Sequence, residues 1–305
     1  MDYMIKHFFY TPWTGLGLYR GFRGNRWLKN RIKIFKQFVI PSLQAQTSKN
    51  FTLWCSWREE EKNNPHVLEL AAYLDTIQEF KTAHTFYGTC FWDDKYPDQI
   101  ARTRLLLNLH QSIGSLLDVI GEAKTILMTI QPSDDCYRKD TVERIQNYFY
   151  YTPTVQAVGF EKGYMMNYLT KEVCEYNPQT NPPFFTIKFS REVFIDPTKH
   201  VAYTGPYKSH EYVGQFLNYH HLTDRGFLVG THGENISTVF NHPYRGAAVD
   251  PAILTDFGLA NVEKISIPLS WRRKLLRKLP HKVQRKLRYI FGEKGWHKLY
   301  EYLRS

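Results

Sequence analysis

The apolar residues change period several times along the chain, and each change marks a new element. Residues 5–10 form a short β-prone run that enters the turn-rich stretch Thr11-Pro12-Trp13-Thr14-Gly15, which predicts a first strand ending in a loop. From Trp27 the pattern becomes helical, with Leu28, Ile32, Phe35 and Val39 recurring at steps of four, three and four and Pro41 standing near the predicted end. Residues 51–57 read as a buried strand, and Val67, Leu68, Ala71, Ala72 and Leu74 as part of a second helix. A β-prone piece at 85–87, a helical stretch over 100–117, a strand at 125–130 and a helix over 139–150 follow. This alternation predicts an α/β protein with a mostly parallel central sheet and helices on both faces. Beyond Tyr151 the pattern loosens into aromatic pieces at 156–160, 164–169 and 184–189, separated by Asn177-Pro178 and Asn181-Pro182-Pro183. These predict an antiparallel extension covering one side of the sheet.

Composition narrows the class. With 305 residues, 43% of them hydrophobic, the chain is long and apolar enough to bury a sizeable core. Asp118, Glu122 and Lys124 interrupt the most apolar stretch, so no spanning helix is expected, and the N-terminus lacks the features of a secretory signal. A cytoplasmic protein is the expectation. Cys55, Cys90, Cys136 and Cys174 are scattered and form no CxxC pair, which fits reduced structural thiols.

The net charge of +11 looks at first like a nucleic-acid footprint. From Trp271 to Ser305, however, twelve Lys or Arg against two Glu give 12 − 2 = +10, leaving about +1 for the first 270 residues. The excess belongs to a tail over residues 268–305, in which Leu279, Val283, Leu287 and Ile290 form an apolar stripe among basic positions. Such a helix suits an anionic membrane surface, at which the protein would be peripheral, or else packs its stripe on the body; no nucleic-acid-binding motif accompanies it. Two units are therefore expected, a catalytic body over 1–267 and this basic tail.

In parallel sheets ligands collect beyond the C-terminal ends of the strands. Thr11, just past the first strand, is one candidate contact, and Gln131-Pro132-Ser133-Asp134-Asp135, just past the strand at 125–130, is another. Adjacent loop carboxylates can hold a divalent cation while phosphate oxygens complete its shell. An ordinary acidic turn leading into a helix has the same appearance, as Asp93-Asp94 illustrates.

Two further groups of residues separate these alternatives. The passage Pro41-Ser42-Leu43-Gln44-Ala45-Gln46-Thr47, followed by Asn50-Phe51, precedes the paired aspartates. Tyr207-Lys208-Ser209-His210-Glu211 and His232-Gly233-Glu234-Asn235 follow them. In this order the motifs resemble those of the rhamnosyltransferase family within the GT-A-type (family-2-like) glycosyltransferases, over most of residues 1–245. The likeness has two gaps: Pro132 stands where the family often carries an Asp, and Ser56-Trp57-Arg58 replaces its usual Asp-Asp-Gly-Ser.

The resemblance implies a GT-A-like nucleotide-sugar-binding fold and transfer of a sugar, rhamnose being one candidate, from a nucleotide-diphosphate donor to a glycan or lipid-linked acceptor of a cell-surface polysaccharide. It also implies a divalent metal, Mn2+ or Mg2+, at Asp134 and Asp135, with His210 and His232 competing for the role of third ligand or of a contact to the leaving group. Glu211 is the candidate general base, and Lys208, Arg102 and Arg104 are candidate diphosphate contacts. Asp135, as a loop carboxylate in such a role, is expected to contribute little to the fold, so that Asp135→Ala should lose metal-dependent donor binding and still fold. The two gaps leave open a binding protein that has lost activity, and the tail leaves open a basic membrane- or nucleic-acid-associating protein.

Overall fold

The computed structural model describes residues 5–13, 25–88, 99–204, 210–233, 235, 240, 244–267 and 283. The first half alternates strands and helices: β1 (Ile5–Pro12), α1 (Asn25–Ile34), α2 (Ile40–Gln44), β2 (Thr52–Ser56), α3 (Pro65–Asp75), β3 (Lys81–Thr85), α4 (Gln99–Gly114), α5 (Leu117–Ile120) and β4 (Thr125–Ile130). The second half holds β5 (Cys136–Tyr137), α6 (Thr141–Tyr151), β6 (Ala157–Asn167), β7 (Val173–Tyr176), β8 (Phe185–Ser190), α7 (Arg191–Ile195) and α8 (Pro197–Thr204). It closes with α9 (Val213–Phe216), β9 (Tyr219–Thr231), β10 (Arg245–Ala248) and a 3-10 segment over Pro251–Phe257.

Among the described residues these strands form one sheet. Its parallel block runs β3-β2-β1-β4, and β8 joins antiparallel to β4, with Thr129 opposite Thr186. β6 continues the sheet antiparallel to β8 and β7, while β9 lies parallel to β6 along its length. β6, β9, β4 and β1 therefore all point the same way, and their C-terminal ends share one edge.

Strand alternation sends side chains to both faces, and each face is covered. Phe9, Leu53 and Leu127 pack under the helices that carry Leu28, Phe35, Leu70 and Ile145. Phe8, Trp54, Ile126 and Met128 pack on the other side under Leu109, Ile113, Phe194 and Leu217. A third cluster joins Phe38, Cys136, Tyr168 and Leu228 to Leu254, Phe257 and Ile265, so residues 251–267 belong to the body. Among the described residues Cys55, Cys136 and Cys174 are buried free thiols, and no helix is long and apolar enough to cross a membrane. The basic tail, apart from Val283, lies outside the described residues.

Several boundaries differ from the sequence expectation. The helix predicted to stop near Pro41 continues to Gln44, because a π-helical turn over Phe35–Val39 intervenes. There the Ile40 N–H reaches back to the Phe35 carbonyl, and Pro41 follows directly, in the first turn of α2. β3 occupies 81–85 rather than 85–87, since Lys81-Thr82-Ala83-His84-Thr85 is an edge strand with few apolar residues to announce it. The pieces at 156–160 and 164–169 are one strand, β6, irregular around Lys162. β9 has no counterpart in the expectation: its first half, with His220, His221, Asp224 and Arg225, is polar and half exposed.

Candidate functional site

The acidic loop hangs from the C-terminal end of β4. Gln131 anchors it: its backbone N–H donates to Tyr10 O (2.8 Å), and its Nε2 donates to the carbonyls of Pro132 and Asp135 (2.8 Å each). The turn is thus fixed from inside, and Pro132 is accommodated because its missing N–H is not asked to donate.

Asp134 is the meeting point of three segments. Its Oδ2 accepts a charged hydrogen bond from the Arg31 guanidinium in the last turn of α1, lies 3.0 Å from His232 Nε2, and sits 3.3 Å from Asn235 Nδ2. Arg31 is 4% exposed at its side chain, His232 0% and Asp134 15%, so this is a nearly buried ion pair with neighbours. Asn235 also accepts from the His232 backbone N–H (2.7 Å), which fixes the turn after β9. Burial alone would raise the Asp134 carboxyl, but Arg31 and His232 outweigh it and bring it down to about 2. Asp135 shows the opposite balance. It too is buried, and desolvation together with the charge of Asp134 holds its carboxyl well above the usual range, although its Oδ1 accepts from Gly230 N–H at 2.9 Å.

Aromatic packing stiffens this corner from behind. Tyr168 donates to the Asp134 carbonyl (2.9 Å) and stacks on Phe38 of the π-helical turn, with centroids 3.6 Å apart and planes within 6°. Gly230 is required where β9 passes this stack, since a Cβ there would run into the Asp134 carbonyl oxygen and the Tyr168 ring. Gly230→Ala is therefore expected to destabilise the protein by about 1–3 kcal/mol, as overpacking of a rigid site does. A thermal melt matching wild type would show that the loop yields freely.

Gln46 and Thr47 of the Ser42-to-Thr47 motif also acquire a physical role. Gln46 Nε2 donates to Arg138 O (2.9 Å) and its Oε1 accepts from Val142 N–H (3.1 Å) at the start of α6. The Thr47 N–H donates to Lys139 O and its hydroxyl to Glu143. The motif thus clamps the segment that leaves the acidic loop, and in doing so satisfies an otherwise open helix N-terminus.

Of the four candidate metal ligands, Asp134, Asp135 and His232 are brought into one corner. His210 is engaged elsewhere: its Nδ1 lies 2.6 Å from Asn181 O, and Asn181 in turn accepts from the Tyr219 hydroxyl (2.8 Å). Burial lowers the pKa of His210. The exposed Glu211 accepts from Thr180 Oγ1 at 3.0 Å. Because β8 runs antiparallel to β4, the loop before it, carrying Thr180 and Asn181, emerges at the C-terminal end of β4. His210 and Glu211 therefore share the edge of the acidic loop without touching its carboxylates. Thr11 lies within β1, one residue before its end at Pro12 rather than just past the strand; it is fully buried, and its Oγ1 has no hydrogen-bond partner among the described residues. Arg102 and Arg104 fall on α4 with side chains outside the described residues, as Lys208 lies outside them entirely.

A divalent cation does not fit the corner as it stands. Among the described residues no three His, Cys, Asp or Glu side chains are arranged to hold one, and Asp134 Oδ2 already has Arg31, His232 and Asn235 around it. A cation placed on that oxygen would face the guanidinium at roughly 4–5 Å, a repulsion on the order of several kcal/mol even at an effective dielectric near 20. Arg31 was not among the sequence candidates, because Lys29, Lys33 and Lys36 beside it make the helix look like a solvated basic face. One signal was present: Trp27, Arg31 and Phe35 follow at steps of four, which puts Arg31 on the apolar stripe, with its guanidinium 5.4 Å from the Trp27 ring.

A cleft of about 660 Å³ opens at the opposite edge, around the starts of β1, β2 and β3, lined by Lys6, Lys49, Lys81, Asp75 and Glu79. Asn50 and Phe51 also line it, whereas the acidic loop and the turn after β9 lie at the other end of the sheet. No protein-family model and no curated protein sequence matches the chain. Among solved structures it is similar to residues 1–349 of TarS from S. aureus, with a TM-score of 0.40 and 13% identity over 74% of this chain and 60% of that one. It is also similar to the apo form of mouse xyloside xylosyltransferase 1, with a TM-score of 0.36 and 9% identity over 73% and 85%. The chain thus spans less than two thirds of the TarS fragment.

Proposed function

We propose that the chain is a GT-A-like glycosyltransferase that moves a sugar from a nucleotide-diphosphate donor to a hydroxyl of a glycan or lipid-linked acceptor. One observation carries the reading. Motifs far apart in sequence, at 133–135 and 232–235, meet at one loop at the C-terminal ends of the parallel strands, where such folds take their ligands, and the motif at 41–47 clamps the segment that leaves it. The likeness of those motifs to the rhamnosyltransferase family makes a deoxysugar such as rhamnose the first donor to try.

In this proposal the donor's diphosphate lies along the edge formed by the acidic loop and the turn after β9. Lys208, Arg102 and Arg104 are the sequence-nominated cations for it. The bond from the anomeric carbon to the diphosphate oxygen breaks as the acceptor oxygen bonds to that carbon from the opposite face. The acceptor's proton passes to Glu211, and the nucleoside diphosphate departs with the bonding pair. No covalent protein intermediate is needed.

The test is a panel of nucleotide sugars, read first by thermal stabilisation and then by release of nucleoside diphosphate. A stabilising donor that is hydrolysed supports transfer, stabilisation without turnover reduces the protein to a binder, and no response to any donor overturns the reading. Glu211→Gln is expected to lower kcat about 100-fold or more while leaving donor affinity within a few-fold, since a general base acts in the transition state. Wild-type kcat in that variant would send the base to another carboxylate.

A further inference from the structure

We infer that Arg31 is a built-in cation that takes the place of a divalent metal at the acidic loop, so that the chain binds its diphosphate ligand without one. The Arg31 guanidinium is buried and bonded to Asp134 Oδ2, the more exposed of the two aspartates and the one His232 and Asn235 also face. Asp135 turns its Oδ1 inward to the Gly230 N–H. One Asp135 oxygen is thereby engaged, and among the described residues no three His, Cys, Asp or Glu side chains are placed to share a hard cation. Arg31 is held by more than the ion pair. It rises from the last turn of α1 and lies 5.4 Å from the Trp27 ring, and the π-helical turn that follows sets Phe38 against Tyr168, whose hydroxyl grips the same aspartate's carbonyl. The guanidinium is thus pre-positioned by the helix, and expelling it for a metal would mean unpacking α1.

The cation is also of a suitable kind. A planar, permanently charged fork neutralises the ionised carboxylate without a metal having to be bound first. With Asp134 neutralised internally, the corner can adjoin a diphosphate without the repulsion two free carboxylates would impose. That last step rests on the proposed donor site; the claim about the cation does not.

The experiment is a Mn2+ titration followed by electron paramagnetic resonance, which reads the metal alone. Wild type should leave the free Mn2+ signal intact. Arg31→Met, which keeps the stem length but removes the charge, should bind one Mn2+ per chain at least about tenfold more tightly than wild type. Asp134→Asn in that background should abolish the gain, and Mn2+ should raise the melting temperature of Arg31→Met but not of wild type. Stoichiometric Mn2+ binding by wild type that is lost in Asp134→Asn would overturn the inference, as would a folded Arg31→Met with no gain. Should Arg31→Met fail to fold even with Mn2+, Arg31→Lys decides. A folded, Mn2+-indifferent Lys variant supports a positional cation, and Mn2+ binding by it overturns one. If a nucleoside diphosphate binds wild type, EDTA should leave its affinity unchanged, and a loss of affinity in EDTA counts against the inference. If none binds at all, the proposed function fails while the Mn2+ result stands.

Discussion

Asp134→Ala should cost about 3–5 kcal/mol of stability, because it leaves the Arg31 guanidinium buried without its partner. Charge burial is unfavourable on its own, and Arg31 at 4% exposure cannot turn out to water without disturbing Trp27 and the helix that carries both. In a chain of this size the loss corresponds to a fall in Tm of roughly 5–8 °C. Adding Arg31→Met to Asp134→Ala should recover much of it, since the stranded charge is then gone and an apolar side chain of similar length fills its track. The check is a double-mutant cycle by urea unfolding at pH 7. If Asp134→Ala melts within a degree or two of wild type, or if the second substitution adds its own cost instead of relieving the first, the pair does not tie α1 to the loop. The expectation from sequence, that a loop carboxylate contributes little to the fold, concerned Asp135; its neighbour Asp134 is held in a structural ion pair.

That contrast shows where the sequence was legible. β4 and α3 fall on the predicted spans, β4 because a short apolar run buried on both faces stands out between polar flanks and α3 because Val67, Leu70 and Leu74 recur at helical spacing. The acidic loop was found for the same reason: a strand that ends cleanly at Ile130 leaves Asp134 and Asp135 in a known place. β9 was missed because pairing with β6 on one side, rather than burial on both faces, holds its polar first half. Arg31 was missed because basic residues on a helix ordinarily face water, and only its four-residue spacing from Trp27 and Phe35 distinguished it from Lys29 and Lys33. His210 shows a different limit. Proximity in a motif carries no information on which neighbour a side chain chooses, and the Asn181 carbonyl at 2.6 Å took it.

Acid should weaken the fold well before the carboxylates titrate, because buried histidines are held neutral. His7 lies at 1% exposure, 2.7 Å from Thr129 Oγ1, and burial brings its pKa down to about 3. His200 is fully buried beside Phe189 and Phe194, and burial brings it to about 4 despite a contact with Phe194 O. In the unfolded chain both return to about 6.5. Below that value the unfolded state binds protons that the native state refuses, so stability falls as pH drops from 6.5 toward 4. Between pH 7 and pH 5 each site contributes a loss of roughly 2 kcal/mol, about 4 together. His84 and His210, both lowered by burial, act in the same direction. Asp135 acts against them: its raised value makes the native state the better proton binder, so it stabilises on acidification. Asp134, held near 2, keeps its contribution until the pH nears the unfolded carboxylate range and loses it only below that. Four histidines against one carboxyl leave a net loss. Urea unfolding of wild type and His7→Gln at pH 7 and pH 5 measures it, with the amide retaining a polar contact for Thr129 but no titration. The variant should lose about 2 kcal/mol less than wild type over that interval. Identical losses in the two proteins would mean that His7 takes up its proton in the folded state without penalty, and that the polar chain through Thr129 and Thr186 gives way to admit it.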